Sequence, residues 1–367
     1  MVGPIITNKP ASRAHFTTAE GDLLPEGALF RQEELAGAME ALAEEGEALF
    51  YRGEFAQRLQ RVCAEEGGQL TLEDLSGYQV ARRQPLTRSY RGAKIVTNPP
   101  PSAGGILIAF ALDLLEQQDM AALSPLEALG CLARVMALTN RARREARLHE
   151  ATSPEMKDAA IGRLFDPALM AAYRAEVLGR PQSPRGTTQI SVVDAAGNLA
   201  SMTLSNGEGC GSFLPGTGII LNNMLGEEDL NAGGFHAWPP GSRLASMMAP
   251  TIARLPDGRT LALGSGGSNR IRSAILQVLT RLADQGLGAA EAVEAPRLHV
   301  EGGVANHEAG FPEGADALLE EQIGKTVVWS ERNLFFGGVH TVTHTSDGRM
   351  EAAGDPRRGG TALVVGS

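Results

Sequence analysis

Arg185-Gly186-Thr187-Thr188-Gln189-Ile190-Ser191-Val192-Val193-Asp194 is the stretch around which the chain is organised. A loop rich in Pro, Gly and Arg, residues 179–186, leads straight into two threonines. The β-branched Thr187, Thr188, Ile190, Val192 and Val193 favour an extended chain from there on. Ala195-Ala196-Gly197-Asn198 reads as a turn and Leu199 to Leu204 as the returning strand. A hydroxyl residue therefore opens a buried hairpin, directly after a glycine. That is the layout of a chain that cuts itself before Thr187 and then uses Thr187 as an N-terminal nucleophile. A plain loop-to-strand junction has the same local pattern, so the rest of the chain must decide.

Downstream, Ser205-Asn206-Gly207-Glu208-Gly209-Cys210-Gly211-Ser212 is a glycine-rich loop without the spacing of a phosphate-binding Walker loop. Cys210 has no histidine near it in sequence to activate a thiol. Ile219-Ile220-Leu221 predicts a short buried strand. The following Asn222 to Asp229 holds two amides and three carboxylates, a set suited to an amine or to a solvated acidic loop. Further on, Leu261-Ala262-Leu263 runs into Gly264-Ser265-Gly266-Gly267-Ser268-Asn269. An amphipathic helix follows, with Ile271, Ile275, Val278, Leu279 and Leu282 on its apolar side. Strand, glycine loop and helix N-terminus in that order make a nest of backbone N–H groups for an anion. The anion is a phosphate, a carboxylate or the oxyanion of an acyl-transfer intermediate.

Upstream, residues 31–66 predict helices, with Leu35, Met39 and Leu42 on one face and Phe55, Leu59 and Val62 on another. Thr71-Leu72-Glu73-Asp74 predicts a capped short helix. Asn98-Pro99-Pro100-Pro101-Ser102-Ala103-Gly104-Gly105 is a rigid connector or a pocket wall, followed by a buried helix from Ile106 to Glu116. Residues 126–150 predict a long basic helix with a solvated arginine face.

The chain of 367 residues carries 43 acidic and 33 basic side chains, a net charge of -10, and is 43% hydrophobic. An acidic surface argues against nucleic acid and against an anionic membrane as partners. No apolar run approaches the ~18 residues of a membrane span. The first ten residues lack the apolar centre of a signal peptide. Three scattered cysteines fit a reducing compartment, here the cytoplasm. The seven histidines are dispersed. His340 and His344 lie on a predicted strand, ~13 Å apart, so they are not paired ligands and no metal site is expected. No cofactor is expected either.

An N-terminal threonine unites nucleophile and base, since its α-amine, with a pKa of roughly 7.7–8.0, takes the hydroxyl proton near neutrality. Thr203 or Ser205 on the returning strand is placed to orient the hydroxyl. Backbone N–H groups of Gly267 and Ser268 suit the oxyanion. Amine and carboxylate recognition falls to the Asn222–Asp229 loop and to Ser246 or Arg270.

These motifs, in order, resemble the gamma-glutamyltransferase (glutathione hydrolase) family of N-terminal nucleophile hydrolases. The resemblance rests on Tyr90-Arg91-Gly92, Asn98 to Gly105, Thr187 to Asp194 with Gly197-Asn198, and Pro215 to Asn223. It continues through Ser246 to Thr251, Gly264 to Ile271 and Asp355-Pro356-Arg357. It implies an α+β fold, a four-layer αββα sandwich, and a precursor cut between Gly186 and Thr187. Residues 1–186 then form the C-terminal part of a large-subunit region and residues 187–367 the small-subunit region, further oligomerisation being open. Thr187 is the implied nucleophile, Ser205 its supporting hydroxyl, Gly267 and Ser268 the oxyanion hole. Asn206, Asn223, Glu227, Ser246, Met247 and Arg270 are the implied substrate contacts. The implied substrate is a small gamma-glutamyl compound such as glutathione, whose acyl group passes through a threonine ester. The sequence departs from the family pattern at Gln189, Gly207 and Met224, and it starts inside the large-subunit region. The departures point to two alternatives, an acylase with a different acyl group and a non-catalytic fragment or binding module.

Overall fold

The computed structural model describes the chain apart from residues 1–6, 149–150, 152, 168, 171–172, 174–186, 208, 228–229, 231–237 and 366–367. The expected cleavage loop up to Gly186, and Glu228 and Asp229 of the acidic loop, lie outside the described residues. The first half contains helices α1 (Pro10–Phe16), α2 (Glu33–Glu45), α3 (Glu47–Tyr51), α4 (Glu54–Glu65) and α5 (Leu72–Gly77). Strands β1 (Leu86–Tyr90) and β2 (Ala93–Thr97) precede α6 (Ala103–Leu115), α7 (Pro125–Glu145) and α8 (Pro154–Leu164). Then come β3 (Thr188–Val193), β4 (Leu199–Leu204), β5 (Phe213–Leu214), β6 (Ile219–Ile220), β7 (Thr251–Arg254) and β8 (Thr260–Gly266). The chain finishes with α9 (Arg270–Asp284), α10 (Ala289–Glu294), β9 (Leu298–Glu301), β10 (Val304–Glu308), α11 (Ala315–Ile323), β11 (Lys325–Trp329), β12 (Gly338–His344) and β13 (Met350–Ala353). Two compact units result, Met1–Arg83 with Asn206–Met224, and Gln84–Ser205 with Leu225–Ser367.

The first unit has a small core of Ala38, Leu49, Phe55 and Leu214. The Leu35–Met39–Leu42 stripe expected to face a core does not: Met39 is 62% exposed and Leu42 41%. Helix α2 instead packs its small Ala38 and Ala41 side, which allows close approach. Helix α5 starts on the capping box read from the sequence, Thr71 Oγ1 accepting from Asp74 N at 3.1 Å. Strands β5 and β6 pair as a two-residue hairpin, and Ile219 and Ile220 are half-buried rather than buried.

The second unit is built on a six-stranded antiparallel sheet in the order β1-β2-β7-β8-β12-β13. Side chains alternate across it. Leu261 and Leu263 of β8 join the main core with Ile271, Ala274, Ile275 and Val278 of α9 and with α6, apolar except for Asp113. Helix α7 begins on a Ser124–Glu127 capping box with Pro125 in its first turn. A smaller β11-β10-β9 sheet is tied to the helices by Gln277 of α9, which donates to Leu298 O at 2.8 Å, and by Asn140 of α7, which donates to Val300 O at 2.8 Å.

The opposite face of the six-stranded sheet carries the β3–β4 hairpin, which packs on β8 and β12. Its polarity is the reverse of the expected buried hairpin. The side packed inward holds Gln189, Ser191, Ser201 and Thr203, and the apolar side faces out. The inward hydroxyls are satisfied by the sheet: Ser191 Oγ donates to His340 O at 2.9 Å and Ser201 Oγ to Leu263 O at 2.8 Å. No described helix is long and apolar enough to cross a membrane.

Candidate active site

The hairpin register pairs Thr188 with Leu204, so Thr187 and Ser205 stand opposite each other at its open end. Their hydroxyl oxygens are 3.4 Å apart. Thr187 itself is half-buried. Two glycines on one face of β8 let β3 lie directly on that strand. A Cβ on Gly266 would sit 1.8 Å from Thr187 O, and one on Gly264 would sit 2.0 Å from Gln189 Oε1. Gln189, one of the departures from the family pattern, serves as a structural amide. It donates to Ser191 Oγ at 3.0 Å and Ser201 Oγ at 2.9 Å, and accepts from Thr203 Oγ1 at 2.5 Å. Thr203, the other candidate for the supporting hydroxyl, is thereby engaged with Gln189 rather than with Thr187 among the described contacts. Gly266→Ala is expected to push β3 off β8, costing about 1–3 kcal/mol as an overpacked core site does. A lowered urea midpoint would show it; an unchanged midpoint would mean the contact relaxes freely.

Immediately after Gly266 the backbone turns through the left-handed region at two residues, Gly267 (φ 126°) and Ser268 (φ 49°). Helix α9 starts two residues later, so the expected nest stands at the head of a 15-residue helix and next to Thr187. Gly267 cannot carry a side chain, since a Cβ there would lie 2.7 Å from Gly337 Cα. Asn269 does not cap the helix with its side chain. Its Nδ2 donates to Glu301 Oε1 at 3.2 Å, and its Oδ1 accepts from Arg143 at 3.4 Å.

Glu301 is the centre of a buried polar chain that the dispersed histidines gave no sign of in the sequence. It pairs with Arg272 at 3.2 Å and meets His299 Nε2 at 3.1 Å, while His299 Nδ1 lies 2.6 Å from Ser273 Oγ. An ionised carboxylate only accepts, so Nε2 bears the proton and Nδ1 accepts from Ser273. Burial pushes the His299 pKa down to about 4. Burial alone would raise Glu301, but the His299 hydrogen bond and the Arg272 charge hold it below its ordinary value. His299 is thus neutral when folded and takes up a proton more readily when unfolded. Its contribution is complete above the ordinary pKa of 6.5 and is lost as pH falls toward about 4. The loss over that window is on the order of 3 kcal/mol. His299→Gln is expected to flatten the fall of thermal midpoint with acid; a slope equal to the parent's would rule out this role.

The other candidate contacts are placed as follows. Ser246 is half-buried and held against the N-terminus of α6, where Ala103 N donates to Ser246 O at 2.9 Å and Ser102 Oγ to Met248 O at 2.6 Å. The proline–glycine connector thus serves as the wall that seats this segment. The Met247 side chain belongs to the hydrophobic core. Arg270 is 1% exposed and lies over the Phe335 ring at 4.2 Å, which in turn stacks on Trp329. Glu227 is buried. Asn206 and Asn223 belong to the first unit, where Asn223 N donates to Asn206 O at 3.1 Å. Thr187, Ser205, Gly267 and Ser268 are the residues brought together in the second unit.

Residues 3–365 match the family described as gamma-glutamyltranspeptidase. The chain is 33% identical to the acylase ACY 1 proenzyme of Pseudomonas sp. (strain V22), over 94% of this chain and 63% of that protein. It is 31% identical to the glutathione hydrolase proenzyme of Escherichia coli (strain K12), over 96% of this chain and 64% of that protein. Among solved structures, a cephalosporin acylase from Bacillus halodurans shares the fold, with a TM-score of 0.78 at 23% identity over 94% of this chain and 64% of that one. The chain therefore spans just under two thirds of the length of these relatives. With a match running from residue 3 to residue 365, through the hairpin and the nest alike, the chain belongs to the gamma-glutamyltranspeptidase family of enzymes.

Proposed function

We propose that this chain is a self-processing N-terminal threonine amidohydrolase or acyltransferase, cut between Gly186 and Thr187 into segments 1–186 and 187–367. The observation that carries the reading is the placement of Thr187, with Ser205 3.4 Å away and its own carbonyl against Gly266, the residue before the nest. The Thr187 hydroxyl attacks the carbonyl of a bound amide and its proton passes to the α-amine freed by cleavage. The Gly267 and Ser268 N–H groups hold the oxyanion, and Ser205 orients the attacking oxygen. Collapse expels the amine with the transferred proton and leaves a threonine ester. Water hydrolyses that ester, or a second amine takes the acyl group. We assign the fold to the four-layer αββα type; helices packed on one face of the six-stranded sheet and the hairpin packed on the other support that reading.

For the acyl group we favour gamma-glutamyl, with Ser246 as the carboxylate contact and Glu227 on the amine side. The second reading, an acyl group without an amino-acid head, draws on the burial of Glu227 and on Arg270 lying under Phe335. It agrees with the presence of both an acylase and a glutathione hydrolase among the relatives. Gamma-glutamyl and glutaryl p-nitroanilides separate the two. The first reading expects the gamma-glutamyl amide to turn over about tenfold faster or more, because an unmatched buried polar group penalises the analogue. Faster release from the glutaryl amide would give the site to the second.

A further inference from the structure

A cavity of about 750 Å³ lies between the start of α7, the last turn of α9 and the loop at 310–312. Its size is that of a small-molecule site, ~300–1,000 Å³. It is at the other end of α9 from Gly267 and Ser268. From Arg270 to Arg281 the helix rises ~16 Å, so the cavity is separate from the Thr187 site. Met120 and Leu129 in its wall are buried, Leu132 and Phe311 are half-buried and Gln285 is exposed, so it runs from the core out to solvent.

One charged side chain in that wall lacks a counter-charge. Arg281 is 8% exposed, and its guanidinium donates to Ala292 O at 3.4 Å and to Pro296 O. Three of its five N–H groups are left over, and among the described residues no carboxylate pairs with it. Behind it, Arg297 and Arg357 share two carboxylates, Asp355 and Glu308. The buried cluster therefore sets three guanidinium groups against two carboxylates. Burial, and then the repulsion of Arg297 and Arg357, pushes the Arg281 pKa down to about 9, so it is still a cation at neutral pH. Asp284, the acid in the wall, is already matched: it accepts from Tyr90 Oη at 2.7 Å and pairs with Arg91 at 2.9 Å. The start of α7 and the end of α9 bring partial charges of opposite sign, which offset. Arg281 thus decides the sign of the site.

We propose that this cavity binds an amphipathic carboxylate, with the carboxyl group on Arg281 and the hydrocarbon along Leu129, Leu132 and Phe311. A buried cation without a partner is unfavourable, and an anion entering the cavity supplies the missing charge. A guanidinium receives a carboxylate through two parallel N–H bonds, and Arg281 has donors left for them. The apolar walls disfavour a bare anion such as phosphate, which would lose its hydration against them. A neutral hydrocarbon would fill the walls and leave the guanidinium unpaired. The site rests on the cavity and its unbalanced charge, and it stands whatever the role of Thr187.

The probe is decanoate, titrated calorimetrically into the 367-residue chain, with decan-1-ol and inorganic phosphate for comparison. One saturable site is expected for decanoate, at least about tenfold tighter than for decanol, as a charge-assisted hydrogen bond implies. Phosphate is expected not to saturate. Decanoate should slow hydrogen exchange in residues 120–132 of the parent, which locates the site without any variant. Arg281→Met keeps the apolar stem and removes the charge, so it should bind decanoate no tighter than decanol. Ala128→Phe fills the cavity from α7 and should abolish binding of both. That variant leaves the buried charges in place and decides the matter if Arg281→Met fails to fold. Absence of saturable decanoate binding would overturn the proposal. So would decanol or phosphate binding the parent as tightly as decanoate, or full affinity in folded Ala128→Phe. Protection confined to other segments would give the hydrocarbon to another surface and overturn it as well.

Discussion

Thr187→Ala is expected to leave the chain uncut and to remove turnover, a loss of at least about 10³-fold. The reason lies in how few other groups could substitute for it. In the proposed mechanism the oxygen that starts both self-cleavage and substrate attack is Thr187 Oγ1, and the freed α-amine that takes its proton belongs to the same residue. Ser205 is the hydroxyl next to it at 3.4 Å, but it sits at the far end of β4 and has no terminal amine. The proposed oxyanion site at Gly267–Ser268 is backbone and is untouched by the substitution, so on this reading residual binding survives without chemistry. The side chain is half-buried, so its truncation should alter stability by only about 1 kcal/mol. An unchanged thermal midpoint together with a full-length mass therefore assigns the defect to the reaction and not to folding. Thr187→Ser keeps both the hydroxyl and the amine and is expected to remain competent. Cleavage in the alanine variant would place the nucleophile elsewhere.

Asp355→Ala is expected to cost about 3–5 kcal/mol, the usual result of leaving a buried cation without its counter-charge. Asp355 is fully buried between two guanidinium groups, accepting from Arg297 at 2.7 Å and from Arg357 at 3.2 Å. It also accepts from the backbone N of Val339 at 2.9 Å and of Arg357 at 3.0 Å. Arg357 retains Glu308 when Asp355 is lost, but Arg297 is left with the carbonyls of Val293 and Phe336. Burial already holds Arg297 down to about 10 in spite of the attraction of Asp355. The effect reaches the site, because Val339 follows Gly337 and Gly338 on the segment that backs Gly267. Burial works to raise the Asp355 carboxyl, but Arg297 and Arg357 hold it below its ordinary value. Its contribution is therefore complete above the unfolded carboxylate pKa and disappears as pH falls through and below about 4. Urea unfolding at pH 7 and pH 3 checks both points. The gap between parent and Asp355→Asn should narrow at the lower pH, and a gap that persists unchanged would contradict the charge argument.

The parts of the fold legible in the sequence are those set by local chemistry. The β-branched run at 187–193, the turn at 195–198 and the strand after it are hairpin signals that need no neighbours. Thr71 with Asp74 is a helix start written in four residues. The run Gly264–Asn269 between a strand and an amphipathic helix marks a tight turn, and Gly267 and Ser268 do turn left-handed there. What escaped was decided by contacts between distant segments. Alternation along β3 and β4 shows that two faces differ, but it cannot say which is inside. The usual rule puts Ile190 and Met202 inward, whereas hydroxyls bonding to His340 O and Leu263 O claim that side. Arg270, read as a candidate substrate contact, is buried over the ring of Phe335, a partner 65 residues away that no local pattern names. Ser273, His299 and Glu301 lie on a helix and a strand whose pairing no local spacing reveals. One signal was available for them: His299 and Glu301 are two apart in sequence, the spacing that puts side chains on one face of a strand, here β9.

Everything in the catalytic account depends on Thr187 becoming an amino terminus. Intact mass of the purified, incubated protein, with N-terminal sequencing of each chain, measures this directly. The account expects two chains, the smaller beginning Thr187-Thr188-Gln189-Ile190. A single persistent chain of 38.7 kDa, or a cut at any other bond, would contradict it.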